Sequence, residues 1–378
     1  VRATPTPSQS WLRSDAQPAA WRVDTGQLAF DLGRQVPAIF AKLGYAGNGD
    51  SRVADDERIS AAPLGANVKL ELGDGAFCTL GPPADLVRET DGAVRSVLRL
   101  TGPMVGPNGP AGWSYELRLT LWRGRSDIAV DLGVVRDQAQ PTFAPVNALA
   151  LRLPLEAVGG VRGSLDGEPE AAAGDADGQW ILQDTEQHFA RRDGRTSRTV
   201  PGLATVRDDR SQAAVLIRDF QQAYPAGYAI KPDGLHIRLL PPLPADQYKD
   251  AASRPVWGKL YSWCRGGKYM VRAGQMLRRE VLVHLGPLTD AAGWARAWQD
   301  APRPVPSAAY LCGTAVLGRQ LWPRQAGVWE AYDAWFDRGF AAYLARRQSD
   351  HAYGYMNYGD WYGERECNWG NNEYDLAA

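Results

Sequence analysis

The stretch Trp113-Ser-Tyr-Glu-Leu-Arg-Leu-Thr-Leu-Trp122 decides the fold class, because large apolar and polar residues alternate along it without interruption. Successive side chains of a β-strand point to opposite faces, so this pattern predicts a strand with one buried face. A Gly-Arg-Ser turn follows, and Asp127-Ile-Ala-Val-Asp-Leu132 continues in the same way. The two segments together predict an antiparallel hairpin that packs against a core on one side.

Similar short segments recur from about Trp21 to Pro287, separated by turns rich in Gly, Pro and Asp. Many short strands at loosely regular spacing favour antiparallel barrels or sandwiches over a parallel sheet. The chain is therefore predicted to be mainly β and multidomain. The further strands predicted by this pattern are Ala66 to Leu72, Val94 to Leu100, Ala148 to Leu153, Ala213 to Phe220, Leu235 to Leu240 and Glu280 to Leu285.

Three domains are predicted, over residues 1–104, 105–287 and 288–378. The first boundary rests on the Gly/Pro-rich stretch Thr101 to Gly112, which is either a domain boundary or a long hairpin loop. The second rests on a change of pattern, since Thr289 to Trp298 and Val328 to Arg347 have helical periodicity. The aromatic face of the second helix is predicted to form a helical core.

Composition excludes several classes of partner. Lys and Arg number 42 against 43 Asp and Glu, a net charge of -1, so no general field attracts nucleic acid or an anionic membrane. No apolar run reaches the roughly 18 residues of a transmembrane helix. The four cysteines lie far apart without a C-x-x-C pair, which favours buried free thiols over a disulfide and signals no zinc site. No metal or cofactor is predicted; Ca²⁺ stays open, although no carboxylate-rich loop signals it.

The two ends suggest a processed and incomplete chain. Residues 1–10, VRATPTPSQS, lack an initiating Met and resemble a linker or processed end, so a secreted or periplasmic protein with a removed export signal is predicted. Residues 371–378, NNEYDLAA, look like a helix start capped by Asn371 or Asn372 that stops after about one turn. A fragment of a longer protein is therefore expected.

The segment from His351 to Asp375 concentrates aromatic, amide and carboxylate side chains. Flat rings with polar edges suit the apolar face and hydroxyl rim of a sugar, while amides bind hydroxyls and ionisable groups move protons. Interspersed glycines and the lack of a steady helical period favour a functional loop over a core helix. The segment predicts a sugar-binding cleft with acid–base chemistry.

The four histidines are predicted to differ in role. His351 heads the terminal segment and is either catalytic or simply solvated. His188 follows a predicted strand and either decorates a loop or reaches the cleft from the β region. His236 and His284 lie within strand patterns and are predicted to be structural. Gly266-Gly267-Lys268 predicts a β-turn rather than a phosphate loop, because the required spacing is missing.

Tyr355-Met-Asn-Tyr-Gly-Asp-Trp361 followed by Asn368-Trp-Gly-Asn-Asn-Glu-Tyr-Asp375 resembles the exo-rhamnogalacturonan lyases, polysaccharide lyase family 26, and their bacterial relatives. The other matching blocks are Val94 to Leu100, Tyr115 to Trp122, Ile217 to Pro225, and Lys259 to Tyr261 with Tyr269. The resemblance implies an N-terminal RIFT-type barrel, a central β-sandwich and the first helices of a truncated α/α toroid.

The resemblance also implies an acidic polysaccharide substrate, rhamnogalacturonan I, cleaved by β-elimination at galacturonosyl residues. This reaction needs a neutralised carboxylate, a base for the C5 proton and an acid for the leaving oxygen. The residues that the resemblance suggests for catalysis are His351, Tyr355, Tyr358, Asn371 and Tyr374. Those suggested for substrate binding are Trp361, Trp369, Asn357, Asn368, Asn372, Glu364, Arg365 and His188.

Three alternatives stay open. A glycoside hydrolase would use Glu364 or Asp360 as general acid and Glu373 as base or nucleophile. A non-catalytic protein would bind carbohydrate through the same β modules. A lyase acting on another uronate polymer is the third alternative.

Overall fold

The computed structural model describes residues 13–16, 20–35, 39–46, 67–84, 86–155, 160–185, 188–194, 196–197, 202–207, 212–248, 264–316, 318 and 323–349. Every strand pairing in this part of the chain is antiparallel. The prediction of a mainly β, antiparallel fold is thus confirmed.

The strands of the described residues are, in chain order, β1 (Arg13–Ala16), β2 (Ala20–Asp24), β3 (Leu28–Gly33), β4 (Ala41–Tyr45), β5 (Val68–Leu72), β6 (Phe77–Leu80), β7 (Leu86–Asp91), β8 (Arg95–Gly106), β9 (Gly109–Trp122), β10 (Asp127–Arg136), β11 (Phe143–Pro154), β12 (Arg162–Leu165), β13 (Ala171–Ala172), β14 (Gln179–Thr185), β15 (His188–Arg191), β16 (Thr196–Ser197), β17 (Leu203–Arg207), β18 (Gln212–Ile217), β19 (Ala226–Lys231), β20 (Gly234–Leu240), β21 (Cys264–Arg265), β22 (Lys268–Arg272) and β23 (Met276–Leu285). The helices are α1 (Ala291–Gln299), α2 (Ala308–Thr314) and α3 (Glu330–Ser349).

These strands form three sheets. Sheet 1 contains β1 to β4 in sequential order. Sheet 2 has the order β6-β5-β11-β20-β19-β14-β15-β16, and the start of β11 also pairs with β22, which pairs with β21. Sheet 3 has the order β7-β8-β9-β10-β23-β18-β17-β12-β13. Strand β6 pairs with both β5 and β8 and so joins sheets 2 and 3.

The alternating stretch that predicted the hairpin forms the second half of β9. Its large apolar residues from Trp113 to Leu121 are buried at every second position, whereas the polar residues between them are partly exposed. Strand β10 pairs with it, with Ile128 opposite Leu121. The buried sides of the three sheets share one hydrophobic core, so the strand pattern placed these residues on the correct face.

The Gly/Pro-rich stretch from Thr101 to Gly112 continues the pairing of β8 with β9 to its end. Val105 lies opposite Pro110 and Gly106 opposite Gly109, with residues 107 and 108 as the turn between them. The point between residues 104 and 105 therefore falls within a strand of this hairpin. The division of the chain into three domains stays a prediction.

Helix α1 agrees with the predicted short helix. It starts after Asp290, whose side chain accepts a hydrogen bond from the Gly293 amide at 2.7 Å and so caps the first turn. Trp294 and Ala295 on one side of α1 are buried against Leu216 and Leu282 of sheet 3. The helix thus covers part of the outer face of that sheet.

Helix α3 confirms the predicted helix but not its predicted core. The aromatic side chains that share its periodic face are solvent-exposed, with Trp329 at 70%, Tyr332 at 61% and Phe336 at 53%. Periodicity identifies residues on one face of a helix but not the surface that covers this face. The prediction that these three residues form a helical core is therefore wrong for the described part of the chain.

The predicted β-turn at Gly266 and Gly267 is confirmed, and the predicted buried free thiols are confirmed for Cys78 and Cys264. Cys78 and Cys264 are buried free thiols, Cys312 is free and partly exposed, and Cys367 lies outside the described residues. Gly266 and Gly267 form the two-residue turn between β21 and β22, with φ of 58° and 73°. Both positions need the left-handed conformation that glycine adopts without strain.

Candidate functional site

Most of the predicted site lies outside the described residues, and its assignments stay predictions. This applies to every residue from position 350 onward. The residues concerned are His351, Tyr355, Asn357, Tyr358, Asp360, Trp361, Glu364, Arg365, Asn368, Trp369, Asn371, Asn372, Glu373 and Tyr374.

His188 is the one predicted site residue that the structure describes. It opens β15, directly opposite Thr185 at the end of β14. Its Nδ1 lies 2.5 Å from Oδ1 of Asp184, and its side chain is 45% exposed while that of Asp184 is 13% exposed. An aspartate at this distance favours a proton on Nδ1, which leaves the Nε2 lone pair available on an exposed ring. The pair can therefore accept or donate a proton at Nε2.

The segment that follows β20 holds Asp184 in place. Gln247 donates from Nε2 to Oδ2 of Asp184 at 3.2 Å, and the hydroxyl of Tyr248 donates to the Asp184 carbonyl at 2.8 Å. Tyr248 is buried, and burial raises the pKa of its hydroxyl well above the usual value. The phenol thus stays protonated and acts as a donor. One carboxylate oxygen faces the histidine and the other faces a neutral amide.

Asp184 belongs to the outer face of β14, which points away from the core. Ile181 and Gln183 are buried inside, whereas Trp180, Leu182 and Asp184 alternate with them and are partly exposed. Side chains two residues apart on a strand share one face. Because His188 directly precedes the buried Phe189, which pairs with Gln183, His188 also points outward, so the ring of Trp180 and the Asp184–His188 pair lie on the same side of sheet 2.

Arg238 adds a positive charge to this outer face. Leu182 pairs with Gly227 and Gly227 with Arg238, so the arginine lies two strands away in the same row. Burial lowers the pKa of its guanidinium, while the charge of Asp177 opposes this effect. Within the described residues the guanidinium makes no ion pair. Burying a guanidinium without an ion pair costs free energy, and an anionic ligand bound on this face would reduce that cost.

The other two described histidines are embedded in structural contacts, as predicted. His236 on β20 contacts Asp233 at 2.8 Å. His284 on β23 contacts Asp127 at 3.0 Å, and the same carboxylate accepts from Nε1 of Trp294 at 3.0 Å. Asp127 therefore joins α1 to sheet 3.

A second unusual carboxyl group, Asp166, is not part of this face. It lies in the Asp-Gly turn after β12 with φ of 62° and accepts from the Gly202 amide at 3.2 Å. Burial raises its pKa to about 7, against the lowering effects of that hydrogen bond and of Arg191. A left-handed Asp before Gly is typical of a tight hairpin turn, which explains its place without a catalytic role.

The described residues include no group of three or more His, Cys, Asp or Glu suited to a metal ion. None of the described helices combines the length and the apolar character needed to cross a membrane. An open hollow of about 670 Å³ next to α3 is lined by residues that include Arg324, Trp329 and Tyr332. None of its lining residues belongs to the Asp184–His188 pair.

Sequence reasoning missed the partners of His188. Asp184 is four residues upstream, a spacing that on a strand followed by a turn brings both side chains to the hairpin end. Gln247 and Tyr248 are some sixty positions away and approach only because the segment after β20 crosses the end of β14. The Asp-x-x-x-His spacing could have predicted the contact of His188 with Asp184, whereas no sequence pattern predicts the contacts of Gln247 and Tyr248.

No protein-family model matches this chain, and no curated protein matches it. Solved structures resemble its fold at low identity. GH36 α-galactosidase AgaB from Geobacillus stearothermophilus is 7% identical with a TM-score of 0.37, over 73% of this chain and 41% of that one. A galactose mutarotase-like protein from Clostridium acetobutylicum is 9% identical with a TM-score of 0.39, over 74% and 99%. Galactose 1-epimerase from Lactobacillus acidophilus NCFM is 11% identical with a TM-score of 0.37, over 73% and 98%.

This chain spans less than half the length of the α-galactosidase. The matched proteins are named as a galactosidase, a mutarotase-like protein and an epimerase, which are hydrolase and isomerase names rather than lyase names. The prediction of a polysaccharide lyase is thereby corrected and withdrawn. Similarity at this level assigns no activity to the chain, so any functional proposal rests on the chain's own residues.

Proposed function

We propose that the β region of this chain binds carbohydrate on the outer face of sheet 2, where the Asp184–His188 pair transfers a proton at a sugar oxygen. The observation that carries the proposal is the 2.5 Å contact between Nδ1 of His188 and Asp184, on a histidine whose ring is 45% exposed. An imidazole oriented by a carboxylate is a recurring arrangement for general acid–base catalysis.

The residues beside the pair support a sugar ligand. Trp180 and Asp184 are four residues apart on the same face of β14, which corresponds to about 14 Å along a strand. An aromatic ring stacks on the apolar face of a sugar, while histidine and carboxylate groups bind hydroxyls. The spacing suits an oligosaccharide that extends from the ring of Trp180 to His188.

The reaction classes that fit are hydrolysis and exchange at the anomeric centre. Nε2 of His188 would take a proton from a hydroxyl or water, or return one to a departing sugar oxygen, while Asp184 stabilises the imidazolium formed. The glycoside hydrolase alternative assigns the acid and base to Glu364 and Glu373, with His188 then as a binding residue. The outer face of sheet 2 contributes to the ligand site in both versions.

The finer predictions from the sequence enter here as proposals. For the fold, we propose a RIFT-type barrel at the N-terminus and an α/α toroid that begins at about residue 288. We also propose that the chain is related to polysaccharide lyase family 26 but lacks the lyase activity. The protein is proposed to be secreted or periplasmic and to need no cofactor. An acidic polysaccharide as ligand is supported by Arg238, whose partly buried charge lies on the same face as the pair.

Binding and turnover are tested separately with a panel of neutral and acidic oligosaccharides. Calorimetry measures binding, and reducing-end release together with NMR of anomer exchange measures turnover. His188→Gln is expected to lower turnover at least 100-fold while changing affinity by less than about tenfold. His284→Gln is the control on sheet 3, because its Nδ1 is occupied by Asp127 at 3.0 Å and it lies away from the outer face of sheet 2.

The possible results of these binding and turnover measurements have different consequences for the proposal. No binding to any oligosaccharide would overturn the proposal entirely. Binding that is equal in the parent and His188→Gln, with no turnover in either, would establish a non-catalytic carbohydrate-binding protein and remove the proton-transfer role. Equal loss of turnover in the His284→Gln control would show that the effect does not come from the Asp184–His188 pair.

A further inference from the structure

The Asp184–His188 pair is held from the inner side of sheet 2 as well as from the outer side. Gln183 lies between Leu182 and Asp184 on β14 but points in the opposite direction, into the core, where it is fully buried. A buried amide in a β-sheet needs a reason, because its polar atoms lose their water. Its Oε1 has no hydrogen-bond partner among the described residues, whereas its Nε2 donates two hydrogen bonds.

The side-chain amide of Gln183 bridges the two strands at the point where the pair is formed. Its Nε2 donates to the carbonyl of Thr185 and, at 3.0 Å, to the carbonyl of His188. Thr185 and His188 are opposite each other across the ladder, and the regular pairing of β14 with β15 shifts register between Gln183 and Thr185. The amide thus connects the last residues of the two strands across an irregularity in their pairing.

This bridge sets the position of the His188 backbone relative to Asp184. A contact of 2.5 Å between two side chains on different strands tolerates little movement of either backbone. From outside, Gln247 donates a hydrogen bond to the carboxylate of Asp184, whereas the amide of Gln183 donates to the His188 backbone. The histidine is located by the inner amide.

We propose that Gln183 is a positioning residue for the Asp184–His188 pair, whose donated hydrogen bonds keep the histidine in the Nδ1–H tautomer with Nε2 turned outward. This inference deepens the proposed function and rests on the same site. The geometry it describes exists with or without a sugar, so it is measured in the free protein.

Nitrogen-15 NMR of the imidazole rings is the test, since protonated and unprotonated ring nitrogens resonate far apart. At about pH 9, where histidine side chains are neutral, Nε2 of His188 in the parent protein is expected to give the signal of an unprotonated nitrogen and Nδ1 that of a protonated one. In Gln183→Leu and in the similarly sized Gln183→Met, which lose the amide donor, the unprotonated signal is expected to move to Nδ1. That is the tautomer which an unconstrained imidazole favours.

The matched control is Gln179→Leu, which removes the same residue type four positions earlier on β14, away from the pair. His236 and His284 report in the same spectra, and their signals are expected to stay unchanged in every variant. If Gln183→Leu and Gln183→Met do not fold, Gln183→Asn decides. It keeps the amide one methylene shorter and is expected to populate both tautomers.

An unchanged His188 tautomer in a folded Gln183 variant would overturn the inference, as would an equal change in Gln179→Leu. An Nε2–H tautomer in the parent protein would overturn it as well. The two proposals can fail separately. If the Gln183 variants lose the Nδ1–H tautomer but the parent protein binds no sugar, the positioning role of Gln183 stands and the proposed function alone is refuted.

Discussion

Replacing Asp166 by Asn is expected to stabilise the protein at alkaline pH and to have little effect at acid pH. Burial raises the pKa of this carboxyl to about 7 in the folded state, whereas an unfolded chain gives about 3.9. Between these values the folded state holds a proton that the unfolded state has lost, so stability falls as pH rises from about 4 to about 7. Above pH 7 a partly buried carboxylate is charged.

The magnitude follows from the same shift. About three pKa units at 1.36 kcal/mol each set an upper limit of about 4 kcal/mol. Because Asp166 is partly exposed, solvent screening reduces this, and we expect about 2 kcal/mol. Asn is neutral at all pH values, tolerates the left-handed φ of 62° and retains an oxygen for the Gly202 amide. Asp166→Asn should therefore gain about 2 kcal/mol at pH 8 and almost nothing at pH 4.

Urea unfolding followed by tryptophan fluorescence at several pH values between 4 and 8 measures the difference. The control is Asp175→Asn in another exposed turn, where the side-chain hydrogen bond from Arg192 lowers the pKa of the carboxyl. Its effect should have the opposite sign, with stability lost at neutral pH. A pH-independent difference for Asp166→Asn, or a less stable variant at pH 8, would refute the reasoning.

Two further predictions concern the core. Trp294→Phe removes the indole N–H that donates to the buried carboxylate of Asp127, and it should lower the free energy of unfolding by about 1–3 kcal/mol. Urea unfolding measures this change. An unchanged midpoint would show that this hydrogen bond does not stabilise the protein. Cys312 should react with a thiol reagent in the native protein, whereas Cys78 and Cys264 should react only after unfolding. Timed labelling followed by peptide mass spectrometry identifies the cysteines that have reacted. Labelling of Cys264 in the native protein would contradict its burial.

The sequence predicted the strands well because alternation reports directly on a sheet with one buried side. The stretch from Trp113 to Leu121 is buried at every second position as expected. The extent of pairing was less predictable. Gly and Pro between Thr101 and Gly112 favoured a break, yet the ladder of β8 and β9 continues through them, since backbone hydrogen bonds need no particular side chain at most positions.

The site was predictable only where its members are close in sequence. His188 was a candidate because it follows a strand, and Asp184 was within reach of the same reasoning. Gln247 and Tyr248 reach Asp184 through the path of the segment after β20, which no local pattern encodes. The exposed aromatic residues of α3 illustrate the same limit of sequence-based prediction. A periodic pattern predicts which residues share one face of a helix but not what packs against that face.

The three described histidines show why contact with an aspartate does not by itself indicate a site. Asp233 also binds Arg152 at 2.8 Å, and Asp127 also binds Arg125 at 2.5 Å, so each carboxylate shares its negative charge with a guanidinium. The partner of His188 differs, because within the described residues Asp184 makes no ion pair with a guanidinium and its other carboxylate oxygen accepts from the neutral amide of Gln247. Among the described side chains, His188 supplies the one ionisable group that is hydrogen-bonded to this carboxylate. The exposed ring, and a carboxylate without a guanidinium partner among the described residues, are the two features on which we propose this pair, rather than the other two, for proton transfer.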